Sequence, residues 1–368
     1  MSTERSDLPR APALSTRPAR VRRVSKAELW KVAFFFALVL VLAALPFIAT
    51  VAATGPLVTF FVLLTISTMW NLLAGYAGLV SIGQQAYIGL GAYAVLQMSD
   101  WGIHPFAGVI LAALVSVFFA LPTSWLAFRL RGDYFAVGTW VIADVYRLVI
   151  VRNDALGGGS GRSLTTLSDI DPIVRQAVVY WLALGVTTLA LTAVYLLLRS
   201  RIGLSLTAIR DNEIGARSVG IRVARTKRIV YLTAAAGTGA AGGVLLVSQV
   251  GVNPDAIFSV QWSAYMIFIV LIGGIGSLEG PVLGTVIFFG LQQTLAGQGV
   301  WYLILLGSIA VLAAVFAPRG LFALAAERFG LSLFAVGYWV EVPVSAESRR
   351  SATPDAPADR GSAPDPRP

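Results

Sequence analysis

The chain has 368 residues, of which 57% are hydrophobic and only 13% are charged. Soluble domains carry about twice that charged fraction, so the composition indicates a membrane protein and argues against a soluble one. The formal net charge is +9, which we interpret as a sign of topology rather than of nucleic-acid binding, because basic residues of membrane proteins collect on the cytoplasmic side. Cysteine is absent and His104 is the single histidine, which excludes disulfides and thiolate chemistry and argues against His-dependent catalytic or metal sites.

Both ends of the chain are polar and flank a long apolar region. Residues 1–29 are rich in Pro and Arg and predict a disordered basic cytoplasmic arm, and residues 341–368 predict a disordered tail. A cleaved signal peptide is the alternative for the N-terminal part, but the basic leader is long and the apolar stretch after it exceeds that of signal peptides. We expect a transmembrane domain over residues 30–318. An acidic and a basic residue lie side by side in the apolar stretch within 319–340, which favours an interfacial helix or tail over a further span.

Ten apolar segments are each about long enough to cross a bilayer as a helix. An N-terminus on the cytoplasmic side places the loop at 129–133 and the segment at 199–228 inside, and both carry Arg or Lys. Three loops that fall outside carry neither, which agrees with the positive-inside rule, although the outer loop at 152–176 has three Arg. The sequence therefore predicts an all-α polytopic membrane protein with about ten transmembrane helices. The segments are 30–50, 57–74, 79–98, 105–128, 134–151, 177–198, 229–250, 257–275, 281–296 and 300–317.

Two apolar helices are interrupted by glycine-rich stretches, at 71–85 and at 272–281. Each stretch follows an apolar helix, contains glycines three apart with a nearby Ser, and is followed by a helix of small residues. This similarity predicts an internal repeat whose two copies run in the same direction, because transporters are often built from repeats with broken helices near the transport path. Plain helix packing through small residues is the alternative.

Polar residues near these breaks are candidates for lining a substrate path, because irregular backbone at membrane depth persists only where protein or water satisfies it. Interhelical hydrogen bonding is the alternative role for these side chains. Asp144 lies within an apolar segment three residues before Arg147, close enough for the two to pair, and a charge inside a membrane favours a functional role. The candidate path residues are Asn71, Gly75, Gly78, Ser81, Gln84, Gln85, Tyr87, Asp144, Gly273, Gly274, Gly276 and Ser277.

The segment at 199–228 holds eight Arg or Lys between two long apolar blocks, so it must lie in water. Its pattern predicts one helix from Gly203 to Val219, with Gly220 as the C-terminal stop. Glu213 and Arg217 are spaced for a favourable pair on this helix. The helix is either a solvated cytoplasmic element or one that inserts into a groove of a partner protein. One apolar face is expected to comprise Ile202, Leu206, Ile209, Ala216 and Val219.

No Walker motif occurs, and the glycine-rich loop at 157–161 lacks the Lys and the preceding strand of a phosphate-binding loop. Any ATPase that drives transport must therefore be a different chain.

A set of short motifs, in a fixed order over about residues 57–320, resembles the permeases of branched-chain amino-acid ABC transporters, and specifically the LivM-type subunit. Two departures stand out: Gln84-Gln85 occupies a position where the family often has His or small residues, and the long tails are not part of the pattern. The matching motifs are Asn71-Leu72 with Gly75-Tyr76-Ala77-Gly78, Gly89 with Gly91-Ala92-Tyr93, Leu130-Arg131-Gly132-Asp133-Tyr134, Arg201-Ile202-Gly203, Ala208-Ile209-Arg210-Asp211-Asn212-Glu213, Ala216 with Gly220-Ile221, and Gly273-Gly274-Ile275-Gly276-Ser277 with Gly280-Pro281.

This resemblance implies a permease subunit in the bacterial inner membrane that assembles with a second, LivH-type permease, two cytoplasmic ABC ATPases and a periplasmic or lipid-anchored binding protein. ATP and Mg would be bound by the ATPases, so no cofactor is expected in this chain. By analogy, the 203–220 helix would be the coupling helix that enters an ATPase groove, although Ile214 and Gly215 replace alanines of the importers' loop. The coupling residues implied are Arg210, Asp211, Glu213, Ala216 and Gly220.

Three other functions remain open from the sequence. A permease for urea or short amides has similar loops. A secondary transporter driven by an ion gradient would need ionisable groups in several spans, whereas Asp144 alone qualifies here. A membrane-embedded enzyme would need a His, Cys or paired-carboxylate site, which the chain lacks.

Overall fold

The computed structural model describes residues 20–21, 26–48, 51–167, 170–295, 300–316, 320–329 and 340–341. The chain separates into two units, Trp30–Val336 and the combined ends Met1–Leu29 with Gly337–Pro368. In the unit formed by the ends, strand β1 (Arg20–Val21) pairs antiparallel with β4 (Val340–Glu341). The predicted disordered arm and tail otherwise fall mostly outside the described residues.

The larger unit is a bundle of helices. Its helices are α1 (Lys26–Ile48, which begins in the terminal unit), α2 (Val51–Asn71), α3 (Gln85–Asp100), α4 (Pro105–Ala127), α5 (Asp133–Val151), α6 (Pro172–Arg199), α7 (Arg201–Asp211), α8 (Glu213–Ser218), α9 (Val223–Gln249), α10 (Pro254–Ile257), α11 (Gln261–Gly273), α12 (Glu279–Leu295), α13 (Val300–Phe316) and α14 (Gly320–Phe329). A π-helical turn at Leu72–Tyr76 extends α2, and strands β2 (Arg162–Ser163) and β3 (Gly251–Val252) pair antiparallel.

Each of the ten predicted apolar segments contains a helix. Within the described residues, six helices are long and apolar enough to cross a membrane, so the chain has the architecture of an all-α polytopic membrane protein. At 79–98, α3 begins only at Gln85, so the first six residues of the predicted segment are not helical. The amides of Ile82 and Gly83 instead donate to the hydroxyls of Thr139 and Ser81, so side chains replace helical hydrogen bonds at these two positions.

Capping residues fix where several of these helices begin. Asp171 accepts hydrogen bonds from the amides of Ile173 and Val174 at the start of α6. His104 caps α4 in an exposed turn, as its predicted place in a short loop requires, and Ser200 caps α7. Side chains that accept from otherwise unpaired first-turn amides stabilise helix starts by about 1 kcal/mol.

α9 runs through the centre of the bundle and connects its two ends. Near its start Lys227 contacts Glu213 of α8, and just past its end the carbonyl of Val250 accepts from the amide of Leu164. The 27-residue helix is about 40 Å long, so these contacts mark opposite ends of the bundle. We call them the Glu213 end and the Leu164 end.

Small residues let neighbouring helices approach α9 closely. A β-carbon placed on Gly91 of α3 would lie 2.0 Å from the carbonyl oxygen of Gly239, and one on Gly242 would lie 2.0 Å from that of Ile88. These separations leave no room for a side chain. Such contacts between backbones are the usual means of packing helices in membranes.

The predicted single helix over 203–219 is wrong: the structure has two helices, α7 and α8. Asn212 is extended between them, and its side chain accepts from the amide of Gly215 at 2.9 Å, which starts a new helix. The break turns Val219, expected on the buried face, to an exposed position. Gly220 is confirmed as the stop, with a φ of 88° that favours glycine.

Candidate functional site

The two glycine-rich breaks meet at the Glu213 end of the bundle. Asn71, buried at the end of α2, donates from Nδ2 to the carbonyl of Ser277 at 2.7 Å. Its Oδ1 accepts from the amide of Gly276 at 2.9 Å. One side chain from the first break thus satisfies two backbone groups of the second.

Glycine is required where the breaks touch. A β-carbon on Gly75 would lie 2.5 Å from the amide nitrogen of Gly276. Gly276 itself has a φ of 77°, and Gly274 has a φ of 127°. The hydroxyl of Ser277 closes the turn by donating to the carbonyl of Gly274 and accepting from the amide of Gly280, both at 3.0 Å. The backbone here is irregular but well satisfied.

Gly273 allows the two helices on either side of the second break to pack closely. A β-carbon on Gly273 would lie 1.8 Å from the carbonyl of Gly280, so α11 and α12 are in backbone contact as they leave the turn. Gly78, in the first break, has a φ of 65° with open space around it, so conformation rather than packing selects glycine there.

The charged segment reaches into this junction through Arg210, in the last turn of α7. Its Nη1 donates to the carbonyl of Gly75 at 3.3 Å. A β-carbon on Gly276 would lie 2.9 Å from the same nitrogen, so Arg210 lies against both breaks. We call Asn71, Gly75, Arg210, Gly276 and Ser277 the break junction.

After the junction, residues 78–84 are not helical and lead away from the Glu213 end to the start of α3. We call them the non-helical segment. The indole nitrogen of Trp70 donates to the carbonyl of Ser81 at 2.8 Å. The hydroxyl of Ser81 donates to that of Thr139 on α5 at 3.2 Å. A β-carbon on Gly83 would lie 2.1 Å from the carbonyl of Thr139. α5 therefore holds this segment in place from the side.

The polar residues at the start of α3 are buried and bond to other helices. Gln85 accepts from the hydroxyl of Ser263 on α11, and Tyr87 donates to Tyr231 of α9 at 2.9 Å. Gln84 accepts from Thr238 of α9 at 3.5 Å, while its amide nitrogen has no hydrogen-bond partner among the described residues. The predicted path residues in this region thus join α3 to the second half of the chain.

Asp144 lies apart from the other path candidates, on the surface of α5. Its side chain is 51% exposed and pairs with the guanidinium of Arg147 at 2.7 Å, which confirms the predicted pairing. Arg147 also pairs with Asp255 of α10 at 2.7 Å. The three charges form a continuous cluster near the Leu164 end.

The remaining coupling candidates occupy different environments on α7 and α8. Glu213 pairs with Arg217 at 2.6 Å, as predicted, and with Lys227 of α9 at 2.8 Å. The hydrogen bond from Lys227 is the main reason why the pKa of Glu213 is lower than its ordinary value. Asp211 is exposed and Gly220 lies in open space, whereas Ala216 is buried against α7 and α9.

Apolar side chains on and beside α8 project outward instead. Ile214 is 82% exposed and Val219 is 76% exposed. Both lie between charged residues at the Glu213 end, so α8 and the residue after it expose apolar side chains among charges.

Sequence reasoning missed several residues that complete these contacts. Thr139, Thr238 and Ser263 are fully or nearly fully buried within apolar helices, and their polar character inside such spans was the available signal. Glu279, which begins α12 directly after the second break, is 7% exposed, and a buried acid at that position was an equally visible signal. Asn212 was read as part of a helix, although it is a good capping residue.

Two helix breaks that meet beside a charged segment, within a bundle of apolar helices, are the kind of architecture found in polytopic membrane transport proteins. The chain belongs to the family described as the branched-chain amino acid transport system permease component, whose sequence model matches residues 52–315.

The chain is similar to proteins called LivM. The high-affinity branched-chain amino acid transport system permease protein LivM of Salmonella typhimurium is 26% identical over 315 residues, covering 78% of this chain and 74% of the relative. The Escherichia coli protein of the same name is 26% identical over 320 residues with the same coverage. A probable LivM of Methanocaldococcus jannaschii is 25% identical over 264 residues, covering 61% of this chain and 75% of the relative. No solved structure matches the chain.

Proposed function

We propose that this chain is a transmembrane permease subunit of an ABC importer that moves branched-chain amino acids across the bacterial inner membrane. The observation that carries the proposal is the contact of Arg210 with both helix breaks. A cytoplasmic element that receives mechanical work must be connected to the helices that move, and the break junction supplies that connection. ATP and Mg are bound by partner ATPases, and this chain contributes the path.

In this mechanism, the apolar surface of Ile214 and Val219 inserts into a groove of one cytoplasmic ATPase. Movement of α8 is passed to α7, whose Arg210 is bound to Gly75. The two breaks are joined through Asn71, so α2 and α11 respond together. Irregular backbone tolerates such movement better than a continuous helix, because few helical hydrogen bonds need to be broken.

The partners that complete this importer are a second permease of the LivH type, a second ATPase and a periplasmic or lipid-anchored binding protein. Membership of the permease family supports this assembly, since a permease component acts within a transport system. The solute is delivered from outside and passes between the two permeases.

We further propose ten membrane crossings with the N-terminus in the cytoplasm. The ends of consecutive long elements alternate between the Glu213 end and the Leu164 end. For example, α2 ends at the break junction, whereas α3 ends where Asp100 pairs with Arg162 at 2.7 Å. The segment 78–84 together with α3 makes one crossing.

The two breaks also support the predicted repeat. α2 and α11 both run toward the Glu213 end, and each is followed by a break and a helix that runs away from it. The units 51–100 and 261–295 would therefore be parallel copies, which differ because the first contains the extra non-helical segment.

Removal of the Arg210 contact tests the proposed function. In cells that contain the complete transporter, we expect Arg210→Ala to reduce uptake of radiolabelled leucine on the order of tenfold, because the coupling between α7 and the breaks is lost. Arg225→Ala, which removes an exposed arginine of α9 outside the junction, is the matched control and should retain uptake.

Binding-protein-stimulated ATP hydrolysis and membrane insertion are measured in parallel. Insertion should be normal in both variants, and stimulation should fall only in Arg210→Ala. Equal uptake by the two variants would contradict the coupling role. Competition by unlabelled urea, but not by unlabelled valine, would identify the alternative solute class.

A further inference from the structure

The helix α5 combines two features that conflict in a lipid-facing helix. Among the six helices of the described residues that are long enough to span a membrane, it is the least buried and the least apolar. Its exposed face carries Val137, Val141 and Leu148, and Asp144 lies in the same stripe. An apolar face of this kind suits lipid, but an exposed carboxylate within it does not.

The two charged residues of α5 in the cluster lie before the C-terminal end of the helix. At about 1.5 Å per residue, Asp144 lies about 10 Å from the end of α5 at Val151. Arg147 is closer to that end and is 28% exposed. A short Asp side chain cannot reach the membrane surface from this depth in the way that a Lys or Arg side chain can. The exposed side of Asp144 therefore needs water or a polar partner.

The chemistry of the cluster matches a zwitterion. Asp144 and Asp255 together carry two negative charges against the one positive charge of Arg147. The guanidinium uses Nε for Asp144 and one Nη1 donor for Asp255, and within the described part of the chain its other N–H donors remain available for a carboxylate. An exposed carboxylate beside them suits an ammonium group.

We propose that the exposed face of α5 lines the water-filled outer part of the solute path, and that Asp144 and Arg147 receive the ammonium and carboxylate groups of a free amino acid there. This inference rests on the proposed function and adds a solute site to it. The opposite side of α5 holds the non-helical segment through Thr139. Only α5 thus separates a solute on this face from the non-helical segment 78–84, which directly follows the break junction.

Thiol labelling tests whether this face is wet. Because the chain has no cysteine, a single Val141→Cys variant can be studied in the full transporter without background reaction. We expect a membrane-impermeant methanethiosulfonate added from outside to modify it, and excess leucine to slow the reaction.

Leu114→Cys on α4 is the matched control. Leu114 is 64% exposed at a similar depth, on a helix without charged residues, and should not react. A Val141→Cys variant that stays unmodified in a transporter that still takes up leucine would overturn the path assignment, whether lipid or a tightly packed helix covers the face. Absence of leucine uptake by the unmodified transporter would instead contradict the proposed function.

Substitution of the carboxylate tests the contact with solute. We expect Asp144→Asn to raise the KM for leucine uptake by about tenfold or more, while assembly and unstimulated ATP hydrolysis stay normal. A purely structural role would lower the amount of assembled transporter and leave KM unchanged, and that result would overturn the proposal. Asp154→Asn, in the outer loop, is the control for loss of a surface charge.

Discussion

At the scale of single residues, Asn71 shows how one polar side chain can organise irregular backbone. It occupies a position where a helix ends, and it provides one donor and one acceptor to the backbone of a segment about 200 residues later in the chain. Buried backbone groups without partners are costly, so the second break depends on this side chain for its conformation. Neither Asp nor Leu can supply both bonds.

We therefore expect Asn71→Leu to destabilise the protein by about 1–3 kcal/mol for each of the two groups left unpaired. Thermal unfolding of the purified protein in detergent measures the effect. Ser67→Ala on the same helix is the control, because it removes a buried hydroxyl that has no partner in the described residues and should be neutral or stabilising. A similar loss of stability in both variants would show that the bonds of Asn71 are not responsible.

At the scale of elements, α8 is held to α9 by charge rather than by a long apolar contact. Glu213 lies between Arg217 and Lys227, and Ala216 adds a small buried contact. The side chain of Glu213 is 39% exposed, so solvent weakens these pairs and each contributes less than about 1 kcal/mol. These contacts fix the position of α8 only weakly, so a partner protein can move the helix.

Charge substitution at Glu213 should therefore release α8 without unfolding the bundle. We expect Glu213→Lys, which places three positive charges together, to abolish uptake while insertion stays normal, and Glu213→Gln to have an intermediate effect. Hydrogen exchange of the α8 amides measures the release directly. Because the folded-state pKa of Glu213 is lowered, its pairs stabilise α8 above the ordinary carboxyl pKa of about 4.3 and are lost as the pH falls through the lowered value.

Accordingly, wild-type α8 amides should show constant protection between neutral and mildly acidic pH, after correction for the intrinsic exchange rate, and should lose it only at strongly acidic pH. Glu213→Gln should show no such change with pH. Loss of wild-type protection already near pH 6 would contradict the assignment to Glu213.

Also at this scale, the helices were easier to predict than their interruptions. Hydropathy is a local property, so the bounds of α4 and α5 were predicted to within one residue. The break at Asn212 and the late start of α3 depend instead on side chains that compete for backbone groups. For α3 the competing hydroxyl of Thr139 lies on another helix, which a local pattern cannot reveal.

At the scale of the whole molecule, the sequence predicted two breaks but not that they touch. Their meeting depends on how α2 and α11 pack. The position of Asp144, which the sequence analysis placed among the candidate path residues, depends likewise on how α5 packs in the bundle. The structure puts Asp144 on the surface of α5, where its environment depends on what covers that surface. The all-α polytopic class, which follows from composition, is confirmed, whereas the contacts between distant segments did not follow from any local pattern.

The proposed ten crossings can be tested by labelling single introduced cysteines, because the chain has no cysteine of its own. Single cysteines at His104 and Asp154 should react with an impermeant thiol reagent from outside, and cysteines at Asp133 and Gly220 should react only after the membrane is opened. All four positions are exposed and lie at or near the ends of the helices, so the reagent can reach each of them from the aqueous phase on its own side. Reaction of the Gly220→Cys variant from outside would contradict the topology.

The bonds of α3 bear on how the chain is made. Gln84, Gln85 and Tyr87 leave the ribosome early, but their partners Thr238, Ser263 and Tyr231 follow 144 to 178 residues later. During synthesis, these side chains therefore enter the membrane before the helices that bond them in the finished protein. A chain that stops before α9 is expected to remain a substrate for insertion factors and membrane proteases, so quality control has a clear signal by which to recognise unfinished molecules.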